Sequence, residues 1–370
     1  MKDLSIYIHI PFCARKCAYC DFLSFSGMDK YHDEYVLSLI NEIKLSASEF
    51  SGHIVKTIFF GGGTPTLLRA NKIGEVLNVI FDNYSVDKNA EISTEANPET
   101  VDAKSLKELR AAGFNRLSFG VQAFNNRLLQ RIERIHTKET AVSAVYAARE
   151  AGFKNINLDL MFALPGQSLA DLDKSLDTAV FLDPEHLSAY SLILEEGSKL
   201  FKESGLSLPD DDTDRDMYEL VKEKLKKAGY KHYEISNFAK EGFDCRHNRV
   251  YWTGGEYRGF GLGAHSLVNG VRFHNTGSLK SYVSGGFEKE EAEILSLKDK
   301  MSEFMFLGLR LVDGIKITDF YDKFEQNIFS VYGKEINECV EFGLLAERRG
   351  NLRLTDKGID LSNAVFAKFI

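Results

Sequence analysis

Three segments of this sequence share one pattern, in which a charged helical stretch ends in Ala-Gly and leads into alternating or apolar residues. They are RAAGFNRLSFG from Arg110, REAGFKNINLD from Arg149 and KKAGYKHYEIS from Lys226. Each glycine stands where the C-terminus of a helix favours a left-handed residue, so each segment is predicted to join a helix to a strand. Helices that alternate with short apolar strands indicate parallel βαβ units.

The first two thirds of the chain continue this alternation. Strands are predicted near residues 5–10, 55–60, 90–94, 116–119, 155–160 and 186–194. Helical patterns lie between them, roughly over residues 30–48, 70–84, 102–112, 137–151 and 169–182. The third joint adds a strand over 231–236 at the edge of this region. About six βα units predict an α/β fold with a full or partial TIM-like barrel, and an open doubly wound sheet is the alternative.

The C-terminal part has a different order of elements. From residue 298 to 370 the pattern is helix, helix, and then two short apolar runs on either side of RRGN, which predict a hairpin before a final helix. That order is typical of a winged-helix-like unit, for which packing or partner docking is favoured over DNA binding. The predicted division is a core barrel over 1–237, a connecting region over 238–297 and a winged-helix-like domain over 298–370.

Charge and composition exclude several classes of protein. The formal net charge of -8 argues against general binding of nucleic acid, which needs a basic surface. No apolar run approaches the roughly 20 residues of a membrane span, and the first residues lack a signal-peptide pattern, so a cytoplasmic protein is predicted. The five cysteines are an odd number and three are clustered, which favours metal or redox chemistry over disulfide bonds.

The clustered cysteines are Cys13, Cys17 and Cys20, with the spacing CxxxCxxC directly after the first strand and Pro11. Three thiolates near one another can hold a four-iron cluster and leave one iron open. An open iron can take the amino and carboxylate groups of a small molecule such as S-adenosylmethionine. Lys16 and its neighbouring arginine are expected to favour the thiolate state.

A structural zinc site completed by a histidine such as His9 is the alternative for these cysteines. Zinc ligands usually come as two pairs from separate segments, and no second CxxC or HxxxH pair is present. The spacing therefore favours the iron–sulfur interpretation.

Polar or glycine-rich residues follow the other predicted strands. The segment GGGTP from Gly61 ends the second strand, Glu95 the third and Gln122 the fourth, while Asp159 lies in the fifth. Parallel α/β folds bind ligands at the carboxyl ends of their strands, so these residues are predicted to share one rim with the cysteines. A polar loop without function explains Glu95 or Gln122 equally well when each is taken alone.

Taken together, YIHIPFCARKCAYC, GGGTP, Glu95, GVQAF, the arginine of RIH and the aspartate of NLDLMFALPGQ resemble the radical S-adenosylmethionine (SAM) superfamily over nearly the whole chain. The resemblance implies a partial (β/α)6 radical SAM barrel in which Cys13, Cys17 and Cys20 bind a [4Fe-4S] cluster. It further implies a SAM pocket lined by Tyr7, Gly62, Gly63, Thr64, Glu95, Gln122, Arg134 and Asp159.

Within the superfamily, the sequence is similar to the branch related to oxygen-independent coproporphyrinogen III oxidase. Oxidase-type members have a further cysteine two residues after the third, where this chain has Phe22. The sequence CDF at this point instead resembles the HemW-type heme chaperones. This resemblance implies a protein that binds heme and hands it to acceptor proteins such as respiratory enzymes. A coproporphyrinogen III dehydrogenase and a zinc-stabilised binding protein are the alternatives.

The segment HNRVYW supports the chaperone branch, because it matches the HNxxYW motif associated with heme binding in that family. His247 is then the predicted axial ligand of heme iron, Tyr251 and Trp252 are predicted to stack on the porphyrin, and Cys245 is a competing ligand. Physical reasoning alone favours a histidine and two aromatics packed in a core, and the family context reverses that preference. His265 is a further candidate contact, and a homodimer is one candidate assembly.

Overall fold

A computed structural model describes the protein over all of residues 1–370, and its largest element is one twelve-stranded sheet. In chain order the strands are β1 Lys2–Ile10, β2 Phe12–Cys13, β3 Phe25–Ser26, β4 His53–Gly62, β5 Val86–Ala96, β6 Arg116–Gln122, β7 Ile156–Phe162, β8 His186–Ser191, β9 Lys231–Glu234, β10 Asn237–Ala239, β11 Tyr257–Phe260, β12 His265–Val268, β13 Val271–Asn275, β14 Lys289–Ile294, β15 Ile315–Lys316, β16 Leu345–Arg348 and β17 Asn351–Leu354.

Fourteen α-helices accompany the strands. They are α1 His32–Ser46, α2 Ala70–Asn83, α3 Ala103–Ala112, α4 Asn126–Arg131, α5 Lys138–Glu150, α6 Leu169–Phe181, α7 Asp211–Lys227, α8 Arg246–Trp252, α9 Leu279–Val283, α10 Leu297–Gly308, α11 Ile317–Phe324, α12 Ile328–Glu341, α13 Asp356–Asp360 and α14 Ser362–Phe366. No helix combines the length and the apolar composition that a bilayer crossing requires.

The centre of the sheet is a partial barrel. Strands β1, β4, β5, β6, β7 and β8 lie side by side and parallel, in the order of the chain. A doubly wound sheet would instead reverse its strand order at a switch point. Because β1 pairs on its other side with β11 and β8 with β10, the barrel does not close. The prediction of a partial barrel is confirmed.

The three Ala-Gly joints end helices as predicted. Gly113, Gly152 and Gly229 all have left-handed backbones, with φ of 115°, 93° and 87°. The amide of the aromatic residue after each glycine donates to a carbonyl five residues back, the pattern that closes a Schellman motif. Those aromatics, Phe114 and Phe153 among them, are buried, so each joint anchors a helix end in the core. The third joint leads into β9, an antiparallel strand at the edge of the sheet.

Alternation along β1 separates the core from the barrel interior. Ile6, Ile8 and Ile10 are at most 1% exposed and belong to the main hydrophobic core. Burial of each isoleucine contributes about 1.5–3 kcal/mol relative to leaving it in water. Tyr7 and His9 point to the opposite face, because successive side chains of a strand alternate. The strand that leads to the cysteines is thereby fixed from both sides.

The region between the barrel and the C-terminal helices extends the same sheet. β11 pairs with β1, and β12, β13 and β14 follow outward in antiparallel order. Phe260 and Leu262 of this region are fully buried in the main core. The connecting region predicted over 238–297 is therefore continuous in packing with the barrel.

A second hydrophobic core lies within the last seventy residues. Helices α10, α11 and α12 enclose it with the β16–β17 hairpin, whose turn is formed by Arg349 and Gly350. The predicted order of helix, helix, hairpin and helix is present, with the final helix divided into α13 and α14. β15 adds a third strand beside β17. That this unit is a separate winged-helix-like domain stays a prediction.

A buried ion pair joins α1 to the outer part of the sheet. Nη2 of Arg258 donates to Oε1 of Glu42 at 2.8 Å, and neither side chain is more than 4% exposed. The Glu42 carboxylate also accepts from Nδ2 of Asn275 at 2.8 Å, the amide of Gly261 at 2.9 Å and the hydroxyl of Tyr282 at 2.7 Å. Four donors thus compensate one buried carboxylate.

Candidate functional site

The carboxyl ends of the parallel strands surround one cavity that contains most of the predicted cofactor residues. Its free space is about 700 Å³, including the mouth that is open to solvent. The predicted residues in its wall are Cys13, Cys17, Cys20, Gly62, Gly63, Thr64, Glu95, Gln122, Arg134 and Asp159. Tyr7 is the exception. It lies in the wall of a second cavity, which it shares with Glu95, Asp159, His247 and Tyr251.

Backbone hydrogen bonds hold the cysteine loop against the glycine-rich end of β4. The amides of Gly63 and Thr64 donate to the carbonyls of Ile10 and Phe12, at 2.8 and 2.7 Å. A Cβ atom at position 63 would lie 2.7 Å from the Phe12 carbonyl oxygen and 3.0 Å from Sγ of Cys13. Only glycine therefore permits this close approach.

The three thiols face the cavity as free cysteines. Sγ of Cys17 lies 3.3 Å from Nη1 of Arg134. Burial raises the pKa of the Cys13 thiol and raises that of Cys20 to about 11. Lys16 lowers the pKa of Cys20, as the sequence predicted, but burial outweighs it. We therefore expect Cys13 and Cys20 to lose their protons when a cation binds.

The arrangement fits an iron–sulfur cluster better than a zinc ion. No three His, Cys, Asp or Glu side chains converge closely enough to hold a single metal ion, which a tetrahedral zinc site requires. In a four-iron cluster each thiolate binds a different iron, so thiols spread around one cavity are suitable. Both ring nitrogens of His9 are already hydrogen-bonded, to the Tyr7 hydroxyl at 3.0 Å and the Leu23 carbonyl at 2.9 Å. His9 is not free to complete a zinc site.

Arg134 lies beside the thiols as a buried cation with donor capacity left over. Its Nη2 donates to Oδ1 of Asn97 at 2.7 Å and to the carbonyl of Gly120 at 2.5 Å. Its Nε is buried and has no partner in the chain. An unpaired guanidinium donor in a cavity wall is suited to an anionic group of a ligand.

Sequence reasoning missed Asn97, which connects two predicted residues. Its Oδ1 accepts from Arg134, and its Nδ2 donates to Oγ1 of Thr64 at 3.1 Å. The available signal was its position two residues after Glu95, at the end of β5. Tyr190 was also missed, although its hydroxyl donates to Oε1 of Gln122 at 3.2 Å. Its strand was predicted, but nothing in the strand marked the tyrosine.

Two half-buried carboxyl groups lie at the floor of the cavity. Oε2 of Glu95 accepts from the amide of Gly62 at 3.1 Å, and Asp159 accepts from Ser118 at 3.0 Å and Asn157 at 2.8 Å. Burial and the neighbouring Asp159 raise the pKa of Glu95 to about 8. Burial also raises the pKa of Asp159, against the effect of its hydrogen-bond donors. Glu95 therefore keeps its proton to a higher pH than an ordinary glutamate does.

The raised pKa of Glu95 predicts a stability effect with a defined sign. An unfolded glutamate ionises near pH 4.5, whereas Glu95 in the folded protein holds its proton to about pH 8. Between these two pH values the folded state binds more protons than the unfolded state. Glu95 therefore lowers the free energy of unfolding as pH rises through this range. Glutamine cannot ionise. We therefore expect Glu95→Gln to have the same free energy of unfolding as the parent near pH 4.5 and a higher one near pH 8. Urea unfolding of the ligand-free proteins over this pH range measures the difference.

An exposed glutamate provides the matched control for this measurement. Glu49 is about half exposed, and Glu49→Gln is expected to follow the parent at every pH. A difference between Glu95→Gln and the parent that stays constant over the whole range would contradict the assignment of the proton to Glu95.

Helix α8, which carries the HNxxYW segment, is packed under the barrel. His247 is 1% exposed. Its Nδ1 lies 2.8 Å from Oγ1 of Thr57, its Nε2 lies 2.8 Å from the Tyr251 hydroxyl, and its ring stacks on Phe59. Burial lowers its pKa to about 3, so the ring is neutral. Both ring nitrogens are engaged in hydrogen bonds, and the ring lies with Tyr251 in the wall of the cavity that also contains Tyr7.

The other residues of this segment face different parts of the molecule. Trp252 lies on the side of the C-terminal helices, where the guanidinium of Arg310 stacks on its ring at 4.4 Å. Cys245 is fully buried, with Sγ 3.7 Å from Oε1 of Glu91, and burial raises the pKa of its thiol to about 12. The structure therefore brings His247 and Tyr251 to one cavity and places Trp252 apart from them. The joint role of the three residues as heme contacts stays a prediction.

His265, the further candidate contact, lies at the start of β12. It is exposed and faces His274 of the neighbouring strand, with ring centroids 5.1 Å apart. It is in the wall of neither of the two cavities described above.

Two family models match the chain. The model described as the radical SAM superfamily matches residues 7–179, which include the cysteine loop and the strands up to β7. The model described as the HemN C-terminal domain matches residues 295–361, which include most of the second hydrophobic core.

Curated relatives match over the full length. The heme chaperone HemW of Bacillus subtilis is 39% identical over 99% of both chains, and that of Lactococcus lactis is 38% identical over all of this chain and 98% of its own. The heme chaperone HemW of Escherichia coli is 36% identical over all of this chain and 99% of its own. Among solved structures, coproporphyrinogen III oxidase (HemN) from Escherichia coli is 25% identical, with a TM-score of 0.88 over all of this chain and 90% of its own.

Proposed function

The chain belongs to the radical SAM superfamily and, within it, to the HemW family, and from this we propose that it binds heme and transfers it to acceptor proteins. The name that its full-length relatives share, heme chaperone, supports the proposal. Phe22 also supports it, since it stands where oxidase-type members have a cysteine. We propose that the protein works in the cytoplasm and that its acceptors include respiratory enzymes at the membrane.

One observation carries the cofactor part of this proposal, namely that three free thiols line a single cavity at the carboxyl ends of the strands. We propose that Cys13, Cys17 and Cys20 each hold one iron of a [4Fe-4S] cluster. Such a cluster supplies a fourth iron without a protein ligand, which can take the amino and carboxylate groups of SAM.

The remaining wall of the cavity is suited to the rest of SAM. Gly62, Gly63 and Thr64 bring backbone close to the bound molecule, since glycines leave the end of β4 without side chains. Arg134, with its unpaired Nε, is proposed to take the carboxylate. Glu95 is proposed to accept ribose hydroxyls or the amino group.

Three further residues complete the proposed pocket. Gln122 at the end of β6 and Asp159 in the middle of β7 supply polar groups. Tyr7 lies beneath them and supports the floor of the pocket. A Cβ atom added at position 61 would lie 3.2 Å from its ring.

A second candidate function is an oxygen-independent coproporphyrinogen III dehydrogenase. The similarity over the full chain to the oxidase structure, with its TM-score of 0.88, favours it. In such an enzyme the cavity would hold SAM for reductive cleavage, and a substrate hydrogen atom would be removed. The lack of a cysteine at Phe22 argues against this candidate.

One experiment separates the two functions. The protein is reconstituted anaerobically with iron and sulfide, and hemin binding is measured by absorbance titration. In parallel, the protein is incubated with coproporphyrinogen III, SAM and a reductant, with the coproporphyrinogen III oxidase of Escherichia coli as the positive control. We expect stoichiometric heme binding and no porphyrinogen turnover.

Turnover without heme binding would overturn the chaperone proposal in favour of the dehydrogenase. Transfer is tested by mixing the heme-loaded protein with an apo-form of a heme-dependent respiratory enzyme and measuring recovery of its activity. A homodimer stays a prediction, and sedimentation velocity with and without hemin tests it.

A further inference from the structure

Asn97 connects two sides of the cysteine cavity by hydrogen bonds. It follows β5 directly, lies in the wall of the cavity and is half-buried. Its Oδ1 accepts from Nη2 of Arg134 at 2.7 Å, and its Nδ2 donates to Oγ1 of Thr64 at 3.1 Å. Both polar atoms of the amide are therefore engaged, with partners that follow β6 and β4 respectively.

The same hydrogen bonds continue to two of the three thiols. Oγ1 of Thr64 lies 3.6 Å from Sγ of Cys13, and Nη1 of Arg134 lies 3.3 Å from Sγ of Cys17. A path of side-chain hydrogen bonds therefore runs from one thiol to the other along the cavity wall. Asn97 is the middle member of this path.

The backbone of β6 approaches Asn97 closely at a glycine. A Cβ atom at position 120 would lie 2.9 Å from Oδ1 of Asn97 and 3.4 Å from Nη2 of Arg134. The carbonyl of Gly120 accepts from the same Nη2 at 2.5 Å. Glycine therefore permits the amide and the guanidinium to meet at the edge of the sheet, and two acceptors fix the direction of Nη2.

The guanidinium of Arg134 keeps its charge in this arrangement. Its two oxygen acceptors are an amide and a backbone carbonyl, and both are neutral. The carboxylate of Glu99 does not pair with it, since it faces Nδ1 of His136 at 3.4 Å. A buried charge without a counter-ion is costly. Arg134 is therefore suited to the carboxylate of a ligand.

We propose that Asn97 is a positioning residue for SAM, which holds Arg134 in place for the SAM carboxylate without neutralising the guanidinium. The inference rests on the proposed function and adds to it a residue that acts through another. An aspartate of the same shape would also accept from Arg134, but its charge would compete with that of the ligand. An amide supplies the acceptor and leaves the positive charge to SAM.

The test is anaerobic calorimetric titration of the reconstituted full chain with SAM. No reductant is present, so that binding is measured and turnover is not. We expect about tenfold weaker binding in Asn97→Ala, because Arg134 loses one of its two oxygen acceptors. We expect a loss of about a hundredfold in Arg134→Gln, which removes the charge itself. The iron content of each variant is measured first, so that a lost cluster is not taken for lost affinity.

A double variant shows whether Asn97 acts through Arg134. If it does, the effects of the two substitutions are not additive. Asn97→Ala combined with Arg134→Gln is then expected to bind SAM as weakly as Arg134→Gln alone. An affinity reduced by the product of the two single losses would overturn the inference, because Asn97 would then act independently of the guanidinium.

The substitution Asn97→Asp separates the position of the guanidinium from its charge. Aspartate keeps the shape of the side chain and an acceptor for Arg134, and it adds a negative charge beside the guanidinium. We expect SAM to bind about tenfold more weakly, with the iron content of the parent. Binding as tight as in the parent would overturn the inference that the acceptor has to be neutral.

Asn115 provides a matched control. Its Nδ2 donates to the carbonyl of Ala90 at 2.8 Å and its Oδ1 accepts from the amide of Ile92 at 2.9 Å, so it also makes two hydrogen bonds, both to β5. It is exposed and lies outside the cavity wall. Asn115→Ala is expected to bind SAM as the parent does. A loss equal to that of Asn97→Ala would assign both effects to a loosened barrel and overturn the inference.

The outcomes distinguish this inference from the function on which it rests. If the reconstituted parent does not bind SAM, the cofactor part of the proposed function fails. If the parent binds SAM and Asn97→Ala binds it as tightly, Asn97 is not a positioning residue and the proposed function still stands.

Discussion

Replacement of Cys17 by serine is expected to abolish formation of the four-iron cluster. Cys17 lies in the wall of the cavity with the other two thiols of the motif, and its Sγ is 3.3 Å from Arg134. With serine, two irons lack a protein ligand instead of one, and a hydroxyl is a poor ligand for iron in such clusters. Iron and sulfide content after anaerobic reconstitution, together with the visible absorbance of the cluster, measures the loss. Cys13→Ser and Cys20→Ser are expected to behave in the same way.

The chain offers a matched cysteine for this comparison. Cys339 is free and buried, and it belongs to the second hydrophobic core. Cys339→Ser is expected to retain the iron content of the parent. Full iron content in Cys17→Ser, or loss of iron in both variants, would contradict the assignment of the cluster to the CxxxCxxC loop.

Removal of the Glu42 side chain is expected to destabilise the protein by about 3–5 kcal/mol. Glu42→Ala leaves the Arg258 guanidinium charged and buried without its partner, and it also removes the acceptor of Asn275, Gly261 and Tyr282. An uncompensated buried charge is costly because it has lost its hydration. Urea unfolding followed by circular dichroism measures the change.

An exposed ion pair shows whether burial is the cause. Glu223 and Lys227 form a pair one helical turn apart on α7, with side chains 68% and 79% exposed. Glu223→Ala is expected to leave the unfolding midpoint unchanged, because water and salt screen such pairs. If Glu42→Ala cost as little as Glu223→Ala, the Glu42 network would not stabilise the fold.

The parallel part of the fold could be predicted because its signals are local. A glycine with a left-handed backbone ends each joint, and Phe114 and Phe153 after two of these glycines are buried, so sequence and structure agree there within a few residues. The strands β11 to β14 could not be predicted in this way. They are only four to six residues long, and all six residues of β14 are exposed, so that strand has no buried face that a sequence pattern could reveal. Their register depends on β1, which lies far away in the sequence.

The candidate site was predictable to the extent that its residues follow strands. Spacing alone identified the three cysteines, and strand ends identified Glu95 and Gln122. The orientation of α8 was not predictable. His247 is held by Thr57 of β4, and its amide donates to Glu91 of β5, so the direction of the ring depends on contacts that are distant in sequence.

β1 precedes the other strands of the sheet in the sequence, yet it lies in the middle of the sheet. β1 pairs with β4 on one side and with β11, residues Tyr257–Phe260, on the other. As a chain leaves the ribosome, its N-terminal part is available first. One edge of β1 therefore stays unpaired until about residue 260 of 370 has emerged. We expect the cysteine loop, which continues directly from β1, to acquire iron and sulfide only late in translation or after release.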